Sequence, residues 1–531
     1  MNKTVSPETV RQILRDGREI ALIDLREEGP YSRAHPLFAV NVPLSRIELL
    51  TLELVPRSSV PIVLYGGADG LDHLVARALP VFRRLGYSDV SVLEGGLDGW
   101  RSGGGELFQD VNVPSKAFGE LVEATCHTPS LAAEELHRRL AEGDNLVVLD
   151  ARRTEEFAVM SIPSGQSVPG GELALRVRDV APDPHTVVVV NCAGRTRSII
   201  GTQSLVNAGI PNPVFALRNG TIGWTLAGLA LDRDATRRTV AKPMSAHVKA
   251  RAAAALLAER TGVRVLDLEG FRALESRSDI TLYWLDVRSP DEHAAGHPQG
   301  FRNAPGGQLV QATDEWIGVR HGTIVLIDDD GVRARMAGHW LRQLGWNEVF
   351  VLDGWDGLVL EQGRVPSRVA EPPRGFETIA PSALAVRLEA GDVLLIDLAR
   401  SPDFRRAHIP GARFAVRAEL SGLDALVAER TLVLTSPDGV LAAFVAADVQ
   451  ASTGRSPLLL AGGTDAWRSA GFPVETGLAP GMALSVPDDV YKRPYEGTDN
   501  DQAAMQAYLD WEFGLVAQLE RDGTHGFRVL S

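Results

Sequence analysis

The chain of 531 residues carries 54 Lys and Arg against 68 Asp and Glu, a formal net charge of −14, and is 44% hydrophobic and 23% charged. That length exceeds a single core at about 100–200 residues per domain, and the composition is that of a folded chain. The acidic balance argues against nucleic acid or an acidic membrane surface as the main partner; two cysteines make no disulfide framework and fit a reducing interior; and no run nears the roughly 20 apolar residues of a membrane span.

The sequence opens on a capped-helix pattern, MNKTVSPETVRQILRDG, with no apolar signal core, so a cytoplasmic location is expected. The apolar run ALID then ends at Asp24, and VPIVLYGGADG and VLEGGLDGW follow. Residues 103–128 read as a joint. Beyond it come LVVLD ending at Asp150, HTVVVVNCAGRTRS, the helix-like SIIGTQSLVNAG, and ALRNGTIGW. A second joint, 232–262, contains an alanine-rich helical stretch, Val248–Arg260. LYWLD at Asp286, GTIVLIDDDGVRA and VLDGWDGLV make a third set; after the joint 367–375, LLID at Asp397, RTLVLTSPDGVLA and LLAGGTDAW make a fourth. Past Gly477 lies a Pro/Gly/Asp-rich tail in which Leu509, Phe513, Val516 and Leu519 fall at helical spacing, predicting a terminal helix docked on the body.

Three phrases therefore recur four times in one order. Short β-branched runs alternate with helical patterns and do not themselves alternate polar and apolar, which indicates parallel sheets covered on both faces. Units of about 100–120 residues are too long for solenoid repeats and fit tandem α/β domains. The predicted units span 1–105, 129–231, 263–366 and 376–476, with a tail at 477–531.

The chemistry concentrates at Cys192, where VVVVNCAGRTRS hands a strand over to a helix. Loop N–H groups, the positive end of a helix, and Arg195 and Arg197 would hold a thiolate there and lower its pKa. Gly194 lets the loop curl, Thr196 and Ser198 are placed to cap the helix or donate to the sulfur, and the arginines offer paired donors to an oxyanion. The sister loops place Asp329, flanked by Asp328 and Asp330, in the third unit; Ser436 or Pro437 in the fourth; and Gly66, Gly67 or Ala68 in the first. None is a soft nucleophile, so the second unit is read as catalytic and the other three as inactive.

The order Asp…Cys-loop…GG-x-x-x-W resembles the rhodanese superfamily of sulfurtransferases over about residues 1–476. The resemblance implies four tandem rhodanese-like α/β domains, each a small parallel sheet with helices on both faces. It also implies Cys192 as nucleophile, with Ala193, Gly194, Arg195, Thr196, Arg197 and Ser198 binding the donor. The implied reaction takes a sulfane sulfur from thiosulfate or a similar small anionic donor and passes it to cyanide, a thiol or a protein acceptor through a Cys192 persulfide, with no cofactor and no metal. The alternative is a persulfide carrier or regulatory binding module with little turnover. The arginine stands at C-x4-R, Cys192 to Arg197, whereas related phosphatases use C-x5-R; the shorter loop suits a sulfur chain better than a phosphate. Two arginines favour a dianionic donor over mercaptopyruvate.

Other features carry plainer readings. Glu172 and Arg176 are placed where a loop would reach the pocket, although a salt bridge explains Arg176 equally well. Cys126, in the joint beside His127, is incidental or a resolving thiol. His293 and His297 have a zinc-compatible spacing, but His297-Pro298 recurs as His35-Pro36 and near His408, so they belong to the repeat framework. Asp328–Asp330 reads as a solvated loop at a vacated site rather than a cation site. Trp100, Trp224 and Trp467 recur as packing anchors, and Asp150/Arg152 recur as Asp24/Arg26 and Asp286/Arg288, a structural pair that becomes Asp397 with Arg400 in the fourth unit.

Overall fold

A computed structural model of the chain describes residues 3–67, 73–239, 247–420, 430–499 and 501–530. The repeated phrases are strands of one five-stranded sheet built four times, each in the spatial order first, fifth, fourth, second, third. All pairings within these four sheets are parallel. Parallel strands need helical crossovers, which cover both faces; this is why the central run Val187–Asn191 is valine at four consecutive positions and buried over its last four residues. No helix among the described residues is long and apolar enough to cross a membrane.

Strand register aligns the four units residue by residue. Asp24 pairs with Tyr65, Asp150 with Asn191, Asp286 with Ile327 and Asp397 with Thr435. The residues that follow those partners, Gly66, Cys192, Asp328 and Ser436, are therefore equivalent. This corrects the third unit by one position, from Asp329 to Asp328: three consecutive aspartates carry no internal marker of register, whereas a sheet ladder does. It also selects Gly66 and Ser436 from their alternatives; Ala68 lies outside the described residues.

The recurrent residues form a common frame. In the first three units the aspartate ending the second strand binds the arginine two residues on, and that guanidinium also donates to a carbonyl: Ala34 for Arg26, Met160 for Arg152 and Gly296 for Arg288. In the fourth unit Arg400 turns away to Glu28 of the first unit, at 2.7 Å, and burial pushes Asp397 up to about 6. His35, His297 and His408 each stack on the ring four residues earlier, Tyr31, His293 and Phe404. His293 and His297 engage the carbonyls of Phe301 and His293, consistent with framework histidines. Trp100, Trp224 and Trp467 are buried, and each indole N–H donates to the carbonyl six residues on.

The units are also fastened to one another. Gly170–Gly171 of the second unit lies against Gly306–Gly307 of the third so closely that a Cβ on Gly171 would stand 2.8 Å from the Gly307 nitrogen. Arg333 of the third unit reaches Glu172 at 2.7 Å. The first unit holds the third through Leu54, whose carbonyl accepts from Gly318 and from the Tyr283 hydroxyl, and holds the fourth through a buried Glu48–Arg417 pair. The alanine-rich stretch forms the helix Val248–Thr261; residues 240–246 of that joint lie outside the described residues.

Candidate active site

Cys192 follows the fourth strand of its sheet and opens a tight loop into the helix Thr196–Asn207. Every residue from Cys192 to Ser198 is buried, Cys192 being 2% exposed. Both the N–H and the hydroxyl of Ser198 approach the sulfur; the hydroxyl has one proton, which it gives either to the Arg195 carbonyl at 2.7 Å or to the sulfur. The same cradle exists in the sister loops. Ala334 N–H donates to the Asp328 carboxylate at 2.8 Å and Ala442 N–H to the Ser436 hydroxyl at 3.3 Å, each six residues past the position equivalent to Cys192. The fold thus supplies an acceptor cradle in three units and fills it with a thiol, a carboxylate or a hydroxyl.

Asp328, Asp329 and Asp330 are engaged by the protein itself. Asp328 also accepts from Gly331 N–H, Asp329 binds Arg288 and Arg333, and Asp330 binds Arg333. Burial and the neighbouring Asp330 push Asp328 up to about 7.

The arginines differ from the expectation of free donors. Arg197 is buried and bound by Glu156 through two contacts of 2.9 and 2.8 Å; the guanidinium holds Glu156 at about 2, well below its ordinary value, despite burial. The third unit repeats this pair as Arg333–Glu292 with the same sequence separation, so the pair is part of the frame as well as of the site. Arg195 is gripped by Glu120 at 2.7 and 2.8 Å, by Glu123 and by Asn219. Arg176 pairs with Glu172 at 3.3 Å, and Glu172 also receives Arg333 of the third unit, which places Arg176 in an inter-unit network. Thr196 is buried as the first residue of the loop helix.

Burial reverses the expected electrostatics. Burial pushes the Cys192 thiol up; Arg197 and the Ser198 donors pull it down, but by less.

Two segments outside the repeats complete the enclosure. The joint 103–128 is largely the buried helix Val113–Cys126, which supplies Glu120, Glu123 and Lys116. The tail forms two helices, Gln502–Phe513 and Leu515–Asp522, parted at Gly514. Leu509, Leu515 and Leu519 are buried, whereas Phe513, expected on that face, is 56% exposed and its ring lies 4.3 Å from the Arg195 guanidinium. The break at Gly514 resets the helical phase, so the spacing of one continuous helix does not hold across it. Cys126 ends the interdomain helix, half-buried, and its thiol reaches the Leu530 carbonyl at 3.6 Å. Of the site residues that sequence reasoning missed, Glu156 left a signal, its recurrence as Glu292 opposite an equivalent arginine. Lys116, Glu120, Glu123 and the tail residues left none, because they reach the loop only through tertiary packing.

The rhodanese-like domain family model matches residues 6–103, 132–227, 267–357 and 380–470. A crystal structure of a thiosulfate sulfurtransferase from Pseudomonas aeruginosa is similar over 100% of both chains, with 52% identity and a TM-score of 0.95. A sulfurtransferase from Allochromatium vinosum is 29% identical over 99 residues, 19% of this chain and 90% of its own length. With the family pattern matched in four successive segments and a parallel α/β sheet in each, the chain belongs to the rhodanese-like domain family.

Proposed function

We propose that the protein is a sulfurtransferase with one active centre, Cys192. The Cys192 thiolate attacks the outer sulfur of thiosulfate or a similar anionic donor. A new S–S bond forms as the donor's S–S bond breaks, and sulfite leaves with the electron pair. The persulfide's terminal sulfur is then taken by cyanide, giving thiocyanate, or by a thiol, and the thiolate is regenerated. Charge and sulfur balance in both steps, so ping-pong kinetics follow. The Ser198 donors stabilise the thiolate as reactant and as leaving group.

One observation carries this reading: the same loop cradle recurs in the third and fourth units, and Cys192 puts the soft nucleophile in it. The full-length similarity to the Pseudomonas aeruginosa thiosulfate sulfurtransferase supports thiosulfate as donor. The test is thiosulfate:cyanide turnover, together with the mass of the Cys192 peptide after thiosulfate treatment. Wild type should turn over and gain one sulfur on that peptide, and Cys192→Ala should do neither. Turnover that survives Cys192→Ala overturns the reading. A stable persulfide released to a protein thiol alone replaces it with the carrier alternative.

A further inference from the structure

The segments that enclose the Cys192 loop, the helix Val113–Cys126 and the tail after residue 470, both lie outside the four matched domains. They cover that loop far more than its counterparts in the third and fourth units are covered. Residues Cys192–Ser198 are buried throughout, but Asp329 in the third unit and Pro437 and Asp438 in the fourth are exposed. The tail sits directly on the loop. A Cβ on Gly194 would stand 3.3 Å from the Tyr508 ring and 3.5 Å from Glu512 Oε2. Ala193 and Ile222 pack in one apolar cluster with Tyr495, Met505, Tyr508 and Leu509.

The tail is latched as well as packed. Buried Lys116 projects its ammonium among the rings of Tyr495, Tyr508 and Trp511, at 5.9, 5.4 and 5.7 Å from their centroids, and is neutralised by Asp110 at 2.9 Å. Farther along, Phe527 meets Phe118 of the same helix edge-on at 5.4 Å. The Tyr508 hydroxyl donates to Glu512 Oε1 at 2.9 Å.

We propose that this C-terminal tail determines acceptor class: it is a size-selective lid that admits small sulfur donors and small thiophilic acceptors to Cys192 and shuts out thiols carried on folded proteins. The inference rests on Cys192 as the sulfur-transfer centre. Letting a small anion reach the loop requires local displacement of side chains such as Tyr508 and Tyr495. Docking a folded protein there requires the whole latch to come undone, which removes several buried aromatic contacts at once.

The test compares two reagents with one reactive group, N-ethylmaleimide and a polyethylene-glycol maleimide, on the full-length Cys126→Ser chain, with the rates normalised to those in urea. In the folded protein the polymer reagent should be disfavoured at Cys192 by at least about a hundredfold relative to the small one, the protection that a buried, latched segment gives. Tyr508→Ala, and separately Tyr495→Ala, should raise the polymer-to-small ratio by at least about tenfold, a part of the roughly hundredfold or more that truncating a buried aromatic ring costs in stability; Tyr508→Phe, which keeps the ring, should not. Equal normalised rates for the two reagents in the parent protein, or a ratio unmoved by both alanine variants, overturns the proposal. These rates need no sulfur donor, so failure of the lid and failure of sulfur transfer are read separately.

Discussion

Ser198 is the sharpest handle on the reactivity of Cys192. Its N–H and hydroxyl both favour the thiolate against the burial that raises the thiol, and Ser198→Ala removes the hydroxyl alone. A hydrogen bond to a charged group contributes about 1.5–3 kcal/mol, so losing this donor pushes the thiol further up and lowers the thiolate fraction by about 10–100-fold. The sign follows from the charge state stabilised: losing a donor to the anion disfavours the anion. Alkylation of Cys192 by N-ethylmaleimide across pH, in a Cys126→Ser background, reads the shift directly. At pH 7 the variant should react about 10–100-fold more slowly, converging with the parent once pH exceeds both pKa values. Superimposed profiles would refute the idea that Ser198 sets the thiolate level. A uniform slowing at every pH would instead point to lost loop geometry, since the hydroxyl also holds the Arg195 carbonyl.

Burial, with Glu120 beside it, pushes Glu512 up to about 8 from an ordinary 4.5, so the fold prefers its neutral form: wild type loses stability as pH rises from about 4.5 to 8, and the melting-temperature advantage of Glu512→Gln should grow between pH 5 and pH 9. An advantage that stays constant with pH sinks this prediction. Strand register places Asp328 in the acceptor cradle, so in a Cys192→Ala background Asp328→Cys should take one sulfur from thiosulfate, by peptide mass, and Asp329→Cys should not. A sulfur gained by Asp329→Cys instead would restore the alignment read from sequence. Gly171→Ala would set a Cβ 2.8 Å from the Gly307 nitrogen, and overpacking of this kind costs about 1–3 kcal/mol, so the variant should melt below wild type while Gly143→Ala, with open space around it but a positive φ of 73°, loses only local helix-end stability. Equal losses in the two variants would argue against a tight contact between the second and third units.

The fourfold α/β repeat, the single cysteine among four equivalent loops and the frame residues are all legible in the chain's order of residues. These are written in local order: apolar runs of strand length, Asp-x-Arg after a strand, a tryptophan after a turn. Each depends on neighbours a few residues away or on a sister copy for comparison. The state of the site, by contrast, arises from contacts between segments far apart in the chain. Whether Arg195 is a free donor depends on Glu120 and Glu123, 75 and 72 residues earlier in the chain, and whether Cys192 meets solvent depends on Tyr508, more than 300 residues later. Position 328 rather than 329 came from pairing against Asp286. The thiol's direction of shift reversed for the same reason. Positive charge near a cysteine can be read from adjacent arginines, but desolvation and the carboxylates that neutralise those arginines arise only when distant segments fold onto the loop.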